Sequence, residues 1–106
     1  KSIFDMESES PYMTIAADVK KEWISKMPAT THVNNTARVQ TVDKEVSPNY
    51  HDLIDQFYKL SGIPAVLNTS FNIRGQPIVE TPLEAISTFA GNGIDALFIE
   101  NYMLEK

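Results

Sequence analysis

The stretch SPNYHDLIDQFYKLSGIPAVLNTSFN, residues 47–72, decides the architecture, because a helix, a strand and a polar loop follow one another in it without a linker. Ser47 is placed to cap a helix and Pro48 to occupy its first position, where a missing N–H costs nothing. Tyr50, Leu53, Ile54, Phe57 and Leu60 recur at helical spacing, and Gly62 closes the run. Pro64, Ala65, Val66 and Leu67 then read as a buried β-segment. Polarity switches on within one residue at Asn68-Thr69-Ser70-Phe71-Asn72, as it does where a strand end faces a ligand. Amides, hydroxyls and main-chain N–H groups there can receive a phosphate or a carboxamide without adding charge. Taken alone, the same hexapeptide from Leu67 is equally explained by an ordinary Asx or Ser turn.

Upstream, Thr36 to Val42 alternates, with Ala37, Val39 and Thr41 on one face and Thr36, Arg38, Gln40 and Val42 on the other. Arg38 is therefore expected to project from the polar face of a strand. Tyr12 to Ala16 reads as a further short strand, and Val19 to Ile24 as a weakly amphipathic connection ending near Pro28. Downstream of a loop reaching Gly75, Pro77-Ile78-Val79 is extended. Thr81-Pro82-Leu83-Glu84 spells a capping box that opens a second helix, with Leu83, Ile86, Phe89 and Ala90 as its buried stripe. Gly91 or Gly93 ends it, and Ala96 through Ile99 forms a last strand, continuing to Leu104. The order predicts an α/β chain, a mixed sheet with helices packed on it. No repeat, linker or low-complexity tract interrupts it.

A chain of 106 residues, 42% of them hydrophobic, can bury one modest core, so it is expected to be a single domain or a substantial piece of one. Fourteen acidic against nine basic residues give a net charge of −5, which argues against nucleic acid or an anionic membrane as a partner. An anion would have to be held locally. With no cysteine there is no disulfide, thiolate nucleophile or Cys-based zinc site, and the cytoplasm is the default compartment. No apolar run approaches the roughly 20 residues that span a bilayer, and Lys1-Ser2-Ile3-Phe4 lacks a signal-peptide core. The chain opens without Met on an acidic, turn-rich run from Asp5 to Pro11, so it is expected to be an excised piece of something longer.

Among candidate chemical residues, Arg38 offers a fork of donors suited to phosphate or carboxylate, flanked by Thr, Asn and Gln. An exposed strand arginine solvating an edge is the plainer alternative. Arg74, just after the polar loop and before Gly75, is placed to close over a ligand or to sit free on the surface. His32 precedes the pair Asn34-Asn35 and is a candidate for the pocket of Arg38, whereas His51 lies in the first turn of a helix and faces solvent. Two histidines with no nearby acidic cluster do not define a metal site. Asp52 and Asp55 lie on the outer face of their helix, Ser70 lacks the G-x-S-x-G elbow of a nucleophile, and no Walker A or G-x-G-x-x-G motif is present.

Five segments in order, Ser10-Pro11-Tyr12-Met13, Thr31-His32-Val33, Thr36-Ala37-Arg38-Val39-Gln40-Thr41-Val42, Asn68-Thr69-Ser70-Phe71-Asn72 and Pro77-Ile78-Val79, resemble the C-terminal domain of antibiotic- and nodulation-type O-carbamoyltransferases. The resemblance implies part of a YrdC-like α/β fold that makes carbamoyl-adenylate from carbamoyl phosphate and ATP with Mg²⁺. In such proteins a separate, metal-containing N-terminal domain passes the carbamoyl group to a substrate hydroxyl. It further implies that Arg38 binds the anionic carbamoyl phosphate or adenylate, that Ser70 and Asn72 hold its phosphate and carbamoyl ends, and that Asn68 and Thr69 shape the loop. Such chemistry needs fixed donors around developing phosphate charge more than a protein nucleophile. Two departures stand out. Asn34-Asn35 replaces the family's Asp-Gly, a turn that Asn can still make because it tolerates left-handed geometry. The family's basic segment upstream of Ser-Pro-Tyr-Met, and its transfer domain, are expected to lie outside residues 1–106. Residues 1–106 are therefore expected to be the C-terminal part of a carbamoyltransferase, inactive in full transfer when isolated; the alternative is a non-catalytic interaction module packing against the rest of a larger protein.

Overall fold

Alternation of small apolar and polar residues builds the sheet that carries Arg38. A computed structural model describes residues 2–106; Lys1, part of the N-terminal run read above, lies outside them. The chain divides into two compact units, the first reaching Leu67 and the second spanning Asn68–Lys106.

In the first unit, β1 (Phe4–Asp5), β2 (Ile15–Val19) and β3 (Thr36–Val39) form an antiparallel sheet in that spatial order. The register sets Ala16 opposite Arg38, Ala17 opposite Ala37, Asp18 opposite Thr36 and Asp5 opposite Asp18. Because side chains alternate across a sheet, Ala17, Val19, Ala37 and Val39 bury together with Ile3 and Met27, while Asp5, Ala16, Asp18 and Arg38 face outward. Arg38 thus projects as its alternation requires. The Tyr12 to Ala16 strand is displaced to Ile15–Val19, because Met13 takes a left-handed φ of 56° that interrupts the extended run. A four-residue helix, α1 (Lys21–Ile24), leads from β2 towards Pro28. Beyond Val39 the ladder stops, and Thr41 is tied to Ser10 instead: its N–H donates to the Ser10 carbonyl (2.9 Å) and its hydroxyl accepts from the Ser10 N–H (3.0 Å).

The helix α2 (Pro48–Ser61) has the expected bounds, with Gly62 at φ 74° donating its N–H to the Tyr58 carbonyl. Ser47 makes no side-chain cap; Asp43 Oδ1 accepts from the Glu45 and Val46 N–H groups just before the helix. None of the α2 residues is buried, and Leu60 is 89% exposed, so its apolar stripe is left largely uncovered. Ala65 and Ile63 pack against the core, yet Ala65–Leu67 forms no strand. Pro64 has no N–H to open a ladder, and the segment contributes side chains without backbone pairing.

In the second unit, α3 (Pro82–Ala90) starts at a complete capping box. The Thr81 hydroxyl accepts from the Glu84 N–H (3.3 Å), and the Glu84 carboxylate accepts from the Glu80 and Thr81 N–H groups, each at 3.0 Å. Its buried face is Ala85, Thr88 and Phe89 rather than the stripe expected from the larger side chains; Leu83 and Ile86 are exposed. Gly91 ends the helix. The last strand does not run on to Leu104: β4 (Ala96–Ile99) reverses through Glu100, at φ 51°, and Asn101 into β5 (Tyr102–Glu105), pairing Ile99 with Tyr102. Pro77-Ile78-Val79 is not a strand either, and its link to the loop is the Val79 N–H donating to the Phe71 carbonyl (3.0 Å). The chain is thus a mixed α+β structure with its strands in two antiparallel sheets. Among the described residues no helix is long and apolar enough to cross a membrane.

Candidate functional site

The outward face of the first unit's sheet gathers most of its chemically useful side chains. Arg38 stands in the middle of β3 with only the methyl of Ala16 opposite, so nothing bulky from β2 covers it on that side. Among the described residues Arg38 takes part in no ion pair, although Asp18 and Asp5 lie on the same face. A guanidinium left uncommitted in this way keeps its donors available to an external anion. The two carboxylates face each other across β1 and β2, where like charges repel, and they lower the positive potential that an anion meets.

The turn entering β3 is a network of short polar contacts. His32 and Thr36 are joined through the backbone (His32 N–H to Thr36 carbonyl, 2.7 Å) and through the side chains (His32 Nδ1 to Thr36 Oγ1, 2.9 Å). Asn34 Oδ1 accepts from both the Thr36 hydroxyl (2.8 Å) and the Thr36 N–H (3.3 Å). Asn35 sits at φ 63°, donates its N–H to the His32 carbonyl and accepts from the Val19 N–H, both at 2.9 Å. The pair that departs from the resembled pattern therefore keeps the turn: Asn34 supplies the acceptor that a carboxylate would, and Asn35 takes the left-handed position of a glycine. Downstream, Gln40 Nε2 donates to the Pro11 carbonyl (3.0 Å), which ties Ser10-Pro11-Tyr12-Met13 to the end of β3. Ser10 is buried, and its hydroxyl has no hydrogen-bond partner among the described residues.

In the second unit, Asn68, Thr69 and Ser70 are exposed and Asn72 is half-buried. Asn72 Nδ2 donates to the carbonyls of Gln76 (2.9 Å) and Ile73 (3.1 Å), so its N–H groups hold the loop and its carboxamide oxygen is what it can offer a ligand. Arg74 and Gly75 are the central residues of a turn closed by the Gln76 N–H on the Ile73 carbonyl (2.9 Å), with Gly75 at φ 85°. That turn leaves the Arg74 side chain exposed. The turn thus lies at Ile73–Gln76, after the hexapeptide from Leu67 to Asn72, in which Thr69 and Ser70 keep exposed hydroxyls.

Within the first unit the structure joins His32 to Thr36, which shares a face of β3 with Arg38, and it adds Thr36 and Asn34, which residue type alone does not single out. His51 stands apart, with Nδ1 3.8 Å from Asp52 Oδ1. The same unit holds an open cavity of about 320 Å³ lined by Met27, Pro28, Phe57, Ile63, Ala65 and Leu67 among others. Its walls are apolar, and neither Arg38 nor His32 reaches it. Among the described residues no three His, Asp or Glu side chains converge to hold a metal ion.

Comparison with known proteins gives a consistent picture. The profile of the family described as carbamoyltransferase C-terminus matches residues 1–106. An uncharacterized protein of Methanocaldococcus jannaschii is 40% identical over 98% of this chain, which spans 17% of that protein. Nodulation protein NolNO of Sinorhizobium fredii is 36% identical over 96% of the chain, which spans 15% of its length. Nodulation protein NolO of Bradyrhizobium diazoefficiens is 36% identical over the same share of the chain, here 19% of the relative's length.

Proposed function

The chain belongs to the carbamoyltransferase C-terminus family, and from that premise we propose that it binds carbamoyl phosphate and ATP and helps to form carbamoyl-adenylate, for transfer of the carbamoyl group to a substrate hydroxyl. The observation that carries this reading is the uncommitted Arg38 guanidinium on an open sheet face beside the pinned turn at His32. Arg38 takes the phosphate through paired charge-assisted hydrogen bonds, which a planar guanidinium makes better than an ammonium. Ser70 and the carboxamide oxygen of Asn72 are the ligand contacts proposed for the second unit, with Asn68 and Thr69 shaping that loop. The nucleotide's Mg²⁺ is carried by its own phosphates and water, as is usual for this ion. Transfer itself, and the metal that serves it, are assigned to other parts of the full-length polypeptide.

The test uses phosphonoacetamide, a stable analogue of carbamoyl phosphate, titrated into the ¹⁵N-labelled chain at low ionic strength. Arg38 Nε–H and the amides of His32 to Arg38 are expected to shift. Arg38→Ala should weaken binding by roughly tenfold or more, since hydrogen bonds to charged groups are worth about 1.5–3 kcal/mol, and the variant should stay folded because Arg38 is exposed. Added salt should weaken binding further, as it does for any exposed charge pair. No perturbation at millimolar ligand in a folded sample, or equal binding by Arg38→Ala, would refute the proposal.

A second reading, a module that packs against further polypeptide, is favoured by the uncovered apolar stripe of α2. It predicts binding to the remainder of a full-length relative and indifference to both ligands.

A further inference from the structure

The hydrogen bonds around Thr36 fix which nitrogen of His32 carries its proton. The Thr36 backbone N–H can only donate, so the Asn34 atom it meets is the acceptor, the carboxamide oxygen. The Thr36 hydroxyl lies 2.8 Å from that same oxygen, which has no proton to give, so the one hydroxyl proton is committed there. His32 Nδ1, 2.9 Å from Thr36 Oγ1, meets an oxygen whose proton is already spent and must itself be the donor. A neutral imidazole has a single N–H, and Nε2 is left as an exposed lone pair. The backbone bonds of His32 to Thr36 and of Asn35 to His32 hold the ring's anchor on both sides.

Thr36 and Arg38 point the same way from β3, about 7 Å apart at two residues' rise. An acceptor and a fork of donors therefore border one strand face. Phosphate needs donors; a carbamoyl NH₂ has only protons to offer and needs an acceptor. We propose that His32 is a specificity-determining residue, locked by Thr36 and Asn34 in the Nδ1–H tautomer so that Nε2 accepts a hydrogen bond from the carbamoyl NH₂ of a ligand whose phosphate is held by Arg38. The assignment rests on the carbamoyl-phosphate reading above. It predicts that an isosteric acetyl phosphate binds less tightly, since a methyl group leaves the acceptor unpaired.

The test has two arms. Long-range ¹H–¹⁵N correlation at a pH where His32 is neutral reads its tautomer, and an unconstrained imidazole side chain favours Nε2–H. The wild-type chain should show Nδ1–H, Asn34→Asp should keep it, and Asn34→Ala and Thr36→Val should lose it. In the second arm, phosphonoacetamide should bind about five- to tenfold more tightly than acetonylphosphonate, its methyl isostere, as one hydrogen bond allows. Thr36→Val should bring that ratio to near one while both ligands still bind through Arg38. An Nε2–H tautomer in the wild type, or a ratio near one in the wild type, overturns the role of His32 and leaves the wider reading standing. Failure of both ligands to bind overturns the wider reading, and the specificity role with it, whatever the tautomer.

Discussion

Replacing Asn35 by Ala and by Gly tests the turn on which the proposed site depends. At φ 63° an L-residue brings its Cβ against the following carbonyl, a cost of roughly 1–2 kcal/mol that Asn reduces through local polar contacts and Gly escapes altogether. Asn35→Ala keeps both backbone hydrogen bonds, to His32 and from Val19, and should lose about 1 kcal/mol to unrelieved strain. Asn35→Gly removes the strain but frees the unfolded chain by about 0.5–1 kcal/mol, so its net change should be close to zero. The expected order is Gly equal to Asn, with Ala below both. Trp23, the chain's single tryptophan, packs against the first unit's core with Lys26 Nζ 4.6 Å from its ring, so its fluorescence follows that unit. With a urea dependence of about 1 kcal/mol/M for so small a unit, Ala should lower the midpoint by about 1 M relative to Gly. Coincident midpoints, or a Gly variant less stable than Ala, would refute the left-handed assignment.

Two further predictions address helix and core. The Glu80 N–H foremost, then the Thr81 hydroxyl and the Thr81 N–H, hold the Glu84 carboxyl below the ordinary range, so the unfolded chain takes up its proton at higher pH than the folded one. The capping contribution is therefore complete above a pH of about 4.3, the ordinary glutamate value, and disappears as pH falls through the lower folded value. Far-UV ellipticity against pH should show that loss, Glu84→Gln should flatten it, and Thr81→Ala should cost about 1 kcal/mol at neutral pH. In the sheet, Val39→Ala should destabilise by about 2 kcal/mol through the cavity it leaves, whereas Leu60→Ser should change stability by less than about 0.5 kcal/mol; denaturant midpoints decide both.

What was legible in the residues was what short-range chemistry dictates. Pro48 and Gly62 bound α2, Thr81 and Glu84 bound the start of α3, and the alternation around Arg38 gave its outward projection, because each signal acts within a few residues. The five ordered segments carried the family. Less legible was anything set by a distant partner. β1 is two residues long and is defined by Val19 and Asp18 across from it; Met13 and Glu100 adopt left-handed backbone that neither residue type announces. Hydrophobic bulk places the stripe of α3 on Leu83 and Ile86, whereas the smaller Ala85 and Thr88 form the buried side with Phe89, because close approach to the rest of the unit favours small side chains. The site follows the same rule. His32, Asn34 and Thr36 are local enough that the tolerance of Asn35 for its turn could be anticipated, but the open floor at Ala16 beside Arg38 depends on a register set by another strand.

The reciprocal bond between Ser10 and Thr41 has a kinetic consequence. It can form only after some thirty residues have been looped out, while the β4–β5 reversal closes through two. On a logarithmic dependence of closure entropy on length, the longer loop carries roughly 2 kcal/mol more of barrier before any contact rewards it. The hairpin should therefore zip early, and the rate at which the three-stranded sheet assembles should be governed by the search that brings Ser10 to the end of β3.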